Sequence, residues 1–219
     1  MANFDNTDAM PATPPTPTPT SPAAARAPVD GETRLRELSC CGKINLRGDP
    51  GDENFTRAAA DALGMALPLA PNTVATNARV TVFWLGPDEW LIHLPLNDTK
   101  SQLQQLRQHL APFHHAATEV TDYYTAIELR GKHAAEVLAR GCPLDLHPRV
   151  FPPGACAQSR FGNASVLLYQ PAQLDEGPVA GDHDDDNAND STRFLIQVRW
   201  SFTDYVWDYL ATVIDALAD

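Results

Sequence analysis

The run Cys142-Pro143-Leu144-Asp145-Leu146-His147 brings a thiol, a carboxylate and an imidazole close together in the chain. Those are the groups of a nucleophile, an orienting acid and a general base. Catalysis needs such groups to converge in space, which adjacency in sequence does not supply. The simpler reading is structural: Cys142 and Leu144 pack under a loop, Asp145 turns it, and His147 with Pro148 sets its exit. His183 stands among Asp182, Asp184, Asp185 and Asp186, a set of hard-cation donors. It lacks the glycine and closing glutamate of a calcium loop, so a solvated acidic loop is expected. His114 and His115 are adjacent, so on a loop their side chains diverge. The cysteines are Cys40, Cys41, Cys142 and Cys156. No C-x-x-C spacing occurs among them, and free thiols are expected. The 12 glycines contain no G-x-G pair, and no G-x-S-x-G elbow is present. A dinucleotide fingerprint, a phosphate loop and a hydrolase elbow are all missing. No catalytic, cofactor-binding or metal site is therefore expected on this chain.

The elements around these residues alternate between strand and helix. Residues 43–48 read as a strand closed by Gly48 and the turn Asp49-Pro50-Gly51-Asp52. Asn54 is placed to cap a helix with the stripe Phe55, Ala58, Ala59, Ala62 and Leu63, ended by Gly64. Residues 79–85 and 89–94 form a hairpin through Gly86-Pro87-Asp88. Thr99 and Gln102 suggest a capping box for a helix burying Leu103, Leu106 and Leu110, stopped by Pro112. Strand 125–130, helix 132–140 and an irregular loop through 157 follow, then strands at 164–169 and 193–199. In the last, Phe194, Ile196 and Val198 face one way, and Leu195, Gln197 and Arg199 the other. Ser201 with Asp204 is placed to cap a final helix. Its stripe is Phe202, Tyr205, Val206, Tyr209, Leu210, Val213, Ile214 and Leu217. The pattern predicts an α+β fold, helices covering a mostly antiparallel sheet. Trp207 falls at the margin of the last stripe, which makes it a candidate interface anchor, and Trp90, Trp84 and His147 are further candidates for contact with a partner.

Five segments in this order resemble the gamma (small) subunit of heterotetrameric sarcosine oxidase. They are Lys43-Ile44-Asn45-Leu46-Arg47-Gly48, Leu85-Gly86-Pro87-Asp88-Glu89-Trp90-Leu91, Thr125 to Gly141, Cys142 to Gln158, and the last helix with Ser201, Phe202, Tyr205, Trp207 and Leu210. The resemblance covers roughly residues 38 to 212. It implies a fold like the aminomethyltransferase (T-protein) domain, built on ferredoxin-like βαβ units. It implies a non-catalytic subunit of an oxidoreductase complex that demethylates sarcosine to glycine, with oxygen as electron acceptor and tetrahydrofolate as one-carbon acceptor. The partners would be alpha, beta and delta subunits, with FAD, FMN, NAD and tetrahydrofolate held on those chains. Two other readings stay open: a free-standing folate-binding or aminomethyl-transfer protein, and an interaction module acting through its tail or acidic loop.

Composition sets the boundaries. Apolar residues make up 43% of the 219, enough for a real core. The net charge of −12 sits mostly in appendages: residues 1–32 carry −3 and residues 171–192 carry −7, leaving −2 on the other 165. No basic stripe points to nucleic acid. No long apolar run points to a membrane, and the N-terminus lacks the pattern of a secretory signal, so cytoplasm is expected. Residues 1–32, rich in Pro and Thr, read as a disordered tail. Residues 33–219 read as one domain with an acidic insert at 171–192.

Overall fold

Val166-Leu167-Leu168-Tyr169 and Phe194-Leu195-Ile196-Gln197-Val198 are buried at every position. A strand buried on both faces needs cover on both. The computed structural model, which describes residues 26–172 and 192–218, supplies it with two sheets rather than one. The first holds β2 (Gly42–Gly48), β3 (Val74–Thr76), β4 (Thr81–Gly86), β5 (Glu89–Leu94) and β6 (His115–Glu119). The second holds β1 (Thr33–Glu37), β7 (Tyr124–Gly131), β8 (Cys156–Phe161), β9 (Ala164–Tyr169) and β10 (Arg193–Arg199). Helices α1 (Glu53–Leu63), α2 (Thr99–His109), α3 (Ala134–Ala139) and α4 (Thr203–Ala218) cover the outer faces.

Strand alternation sorts the side chains into three cores. Ile44, Leu46, Val82, Trp90 and Ile92 pack with α1 and α2. Ile127, Leu129, Leu168, Phe194, Ile196 and Val198 pack with α3 and α4. The opposite faces meet each other through Phe83, Leu91, Cys156, Leu167, Tyr169 and Leu195. The result is a helix–sheet–sheet–helix sandwich.

The two sheets repeat one plan. The first runs β3-β4-β5-β2-β6, all antiparallel, with α1 after β2 and α2 after β5. The second runs β8-β9-β10-β7-β1, with α3 after β7 and α4 after β10. Each is a ferredoxin-like βαββαβ unit with an added edge strand. In the second unit the last strand comes from the N-terminal end of the domain, where β1 pairs with β7 from Thr33↔Gly131 to Glu37↔Ile127. Gly131 makes that junction possible: its φ is 141°, and a Cβ there would stand 2.1 Å from the Glu32 carbonyl oxygen.

Several local expectations are corrected. Asp52, not Asn54, caps α1, its carboxylate accepting from the Asn54 and Phe55 N–H groups at 2.8 and 3.4 Å. No capping box forms on α2: the Thr99 hydroxyl donates to the Leu96 carbonyl, and the Gln102 amide donates to the Ala62 carbonyl on α1 at 2.7 Å. Ser201 lies in a 3-10 turn before α4 rather than at its cap, and the Thr203 hydroxyl donates to Thr125 Oγ1 at 3.1 Å. The buried stripe of α4 is Thr203, Val206, Trp207, Leu210 and Ile214, while Phe202 and Tyr205 are 39% and 38% exposed. Trp207 therefore sits in the stripe instead of at its margin. His115 starts β6 instead of lying in a loop, and the loop after α3 ends where β8 begins. Gly64, with φ 69°, does end α1. Residues 1–25 and 173–191, with most of the expected tail and acidic insert, lie outside the described residues. Among the described residues no helix is long and apolar enough to cross a membrane.

Candidate functional site

The loop after α3 does not assemble a nucleophile and base. Cys142 is buried, and its thiol is directed to Ser159 Oγ at 3.6 Å. The Asp145 carboxylate accepts the His147 N–H at 3.0 Å, and His147 Nδ1 accepts the Arg149 N–H at 3.2 Å. Asp145 and His147 are thus occupied in turning the loop. His183 and its acidic neighbours lie outside the described residues. Among the described residues no group of three or more His, Cys, Asp or Glu side chains is placed to hold a metal. All four cysteines are free.

The four candidates for partner contact divide by depth. Trp90 is fully buried, its indole N–H donating to the Pro68 carbonyl at 2.8 Å. Trp207 is 4% exposed and packs beneath α4. Trp84 is half-buried beside a bulge in β4, and His147 is exposed.

Sequence reasoning missed a buried polar row between the sheets. Lys43 stands opposite His93 across β2 and β5, and Thr81 stands opposite His93 on the other side. This register carries the Cys41 sulfur to 3.4 Å from His93 Nδ1, and Lys43 Nζ donates to the Cys41 carbonyl at 3.3 Å. Burial pushes the Cys41 thiol up, against the pull of Lys43. Burial, followed by the charge of Lys43, holds His93 well below its ordinary value. Gln197 approaches His93 from the other sheet and slightly favours its protonation, but outside hydrogen-bond geometry. Both members of the pair are neutral and enclosed. Nucleophilic work needs an accessible thiolate, so the arrangement fixes packing and does not activate sulfur. The pair spans 52 residues, and no local pattern reports it.

On the second sheet Glu128, buried on β7, is gripped by Arg36 from β1 and Arg193 near the start of β10. Further along the inter-sheet layer lies a cleft of about 340 Å³. Its lining includes Leu91, Tyr124, Gln158, Gln197, Arg160 and Arg199. The Arg199 guanidinium lies over the Tyr123 ring, 5.1 Å from its centroid. Burial, then the neighbouring Tyr123, raises Tyr124 above its ordinary value.

Residues 47–174 match the model of the family described as "Sarcosine oxidase, gamma subunit family". The chain is 32% identical over 149 residues to the sarcosine oxidase subunit gamma of Corynebacterium sp. (strain P-1), covering 68% of this chain and 72% of that one. It is 34% identical over 151 residues to the subunit gamma of Corynebacterium sp. (strain U-96), with the same coverage. Among solved structures it resembles a chain of the heterotetrameric sarcosine oxidase from Corynebacterium sp. U-96 in complex with pyrrole 2-carboxylate. There the TM-score is 0.76 and the identity 29%, over 92% of this chain and 97% of that one. The aminomethyltransferase T of the glycine cleavage system from Bartonella henselae shares the fold, with a TM-score of 0.54 and 13% identity over 80% of this chain and 44% of that one.

Proposed function

The chain belongs to the sarcosine oxidase gamma subunit family, and from that premise we propose that it is the gamma subunit of a heterotetrameric sarcosine oxidase. The observation that carries this reading is the match along 97% of a chain in a solved heterotetramer. In this role the chain docks on larger alpha, beta and delta partners, principally alpha, and leaves the oxidative demethylation of sarcosine to them. FAD, FMN, NAD and tetrahydrofolate are held on those chains, and the complex works in the cytoplasm. The enclosure of Cys41, Cys142 and Cys156 supports a scaffold role, because thiols held in core layers do not meet substrate. Of the contact candidates, His147 is exposed and Trp84 partly so, and on this reading these two meet a partner. Trp90 and Trp207 fill the subunit's own cores and would act on docking by shaping the faces above them.

Co-expression with the alpha, beta and delta chains tests the reading. Affinity capture through a tag on this chain should return all four polypeptides in one species with sarcosine-dependent oxygen consumption. A chain that folds yet elutes alone beside an assembled, active remainder overturns it.

A further inference from the structure

The register of the second sheet builds two parallel rows across β8, β9 and β10. Gln158 and Gln197 both stand opposite Leu167, and Arg160 stands opposite Ser165. Val198 stands opposite Val166, which brings Arg199 beside Ser165 from the other side. Residues two apart on a strand share a face. A row Gln158–Leu167–Gln197 therefore lies in the layer, and a row Arg160–Ser165–Arg199 lies in front of it. Tyr124, opposite Arg199 on β7, extends the front row.

The front row is exposed and cationic. Neither Arg160 nor Arg199 has a carboxylate partner among the described residues. The lining contains no acid. Glu89, whose charge reaches Tyr124, is held by the Asn45 amide at 2.8 Å. In the rear row Gln158 is exposed, whereas Leu167 and Gln197 are buried. Gln158 donates to the Leu85 carbonyl at 2.6 Å, and the Gln197 amide, 1% exposed, faces His93 behind the cleft. At about 340 Å³ the space lies at the small end of ligand pockets.

We propose that this inter-sheet cleft binds a compact organic carboxylate, held at the mouth by Arg160 and Arg199. Two guanidiniums flanking a serine hydroxyl suit a carboxylate, whose two oxygens accept charge-assisted hydrogen bonds. Leu85, Leu91 and Leu167 provide apolar cover for the ligand's body.

A fluorinated hydroxybenzoate serves as the probe, read by fluorine NMR on the full chain. The matching hydroxybenzyl alcohol, which has no charge, is run beside it. Saturable one-site binding is expected, with the alcohol bound roughly tenfold more weakly or worse, the loss of one charge-assisted hydrogen bond. Arg160→Gln and Arg199→Gln should each weaken the hydroxybenzoate by a similar factor. Arg160 is exposed, so thermal unfolding of Arg160→Gln should not change, while Arg199→Gln also gives up its stacking on Tyr123 and should unfold slightly earlier. Absence of saturable binding at millimolar probe, or binding indifferent to both arginine variants, overturns the proposal. The same titration on the four-chain complex, comparing wild type with Arg160→Gln, isolates this cleft from sites on other chains. A retained difference supports a free ligand. Its disappearance on assembly means that a partner closes the mouth and overturns the proposal. Failure to assemble would count against the subunit role alone.

Discussion

Cys41 Sγ and His93 Nδ1 lie 3.4 Å apart in the layer between the two sheets, and both groups are neutral there. That neutrality ties stability to pH on both sides of a plateau. The folded imidazole titrates well below 6.5. As pH falls below that value the unfolded chain binds a proton that the folded chain refuses. The contribution of His93 is full above 6.5 and declines at about 1.4 kcal/mol per pH unit on the acid side. The Cys41 thiol is raised above 9.0 by burial, so its contribution is full below that value and is lost as pH rises past it. Chemical denaturation across the pH range should show the acid limb flattening in His93→Phe relative to wild type. Parallel curves for the two proteins would refute a buried neutral imidazole.

Leu210 is fully buried at the centre of the α4 stripe, with Trp207 beside it. Leu210→Ala should cost about 2–5 kcal/mol, and Trp207→Ala about 3–5 kcal/mol, because α4 is backed by rigid strands that collapse poorly into a void. Urea midpoints give the comparison. A Leu210→Ala chain as stable as wild type would mean that α4 does not pack on the second sheet.

Glu128 is 3% exposed and takes one guanidinium on each carboxylate oxygen. Glu128→Gln should destabilise the chain by about 3 kcal/mol, since it leaves two guanidiniums facing a neutral amide. Arg36 is the more exposed partner, at 31% of its side chain against 16% for Arg193. Arg193→Gln should therefore cost more than Arg36→Gln in the same unfolding assay. The reverse order would place the stronger contact on β1.

These contacts also mark where sequence patterns stop. The stripe of α1, the hairpin β4–β5 and the alternation Phe194–Ile196–Val198 were legible because each depends on neighbours a few residues away. The second sheet was not read out, although the unbroken apolar runs in β9 and β10 carried the sign of cover on both faces. Strand β3 has three residues, too few for a period, and β6 at a sheet edge is mostly polar. Strand β8 alternates poorly because its inner face presents Gln158 and Arg160 to a cleft instead of to a core. The wheel placed Trp207 at the edge of its stripe by averaging over the whole helix. The start of α4 is set instead by the turn at Trp200–Phe202 and the Thr203–Thr125 hydrogen bond, which rotate Trp207 inward. Cys41 with His93 could emerge only once the β2–β5 register was known.

Docking can be separated from folding at His147. Its side chain is exposed and, among the described residues, its ring accepts only the local Arg149 N–H, in a loop where Val150 is 63% exposed. If the loop meets a partner, His147→Ala should weaken assembly by about 2 kcal/mol, about thirtyfold in Kd, while unfolding shifts by less than about 0.5 kcal/mol. Trp84→Ala should weaken assembly similarly but also lower stability, because that side chain is partly buried within the subunit. Titration of labelled gamma chain into the remaining subunits, with denaturation curves run on the same preparations, measures both quantities. Unchanged Kd for both variants would remove these two surfaces from the interface. An assembly defect that simply tracks lost stability would make Trp84 a packing residue and leave His147 as the informative position.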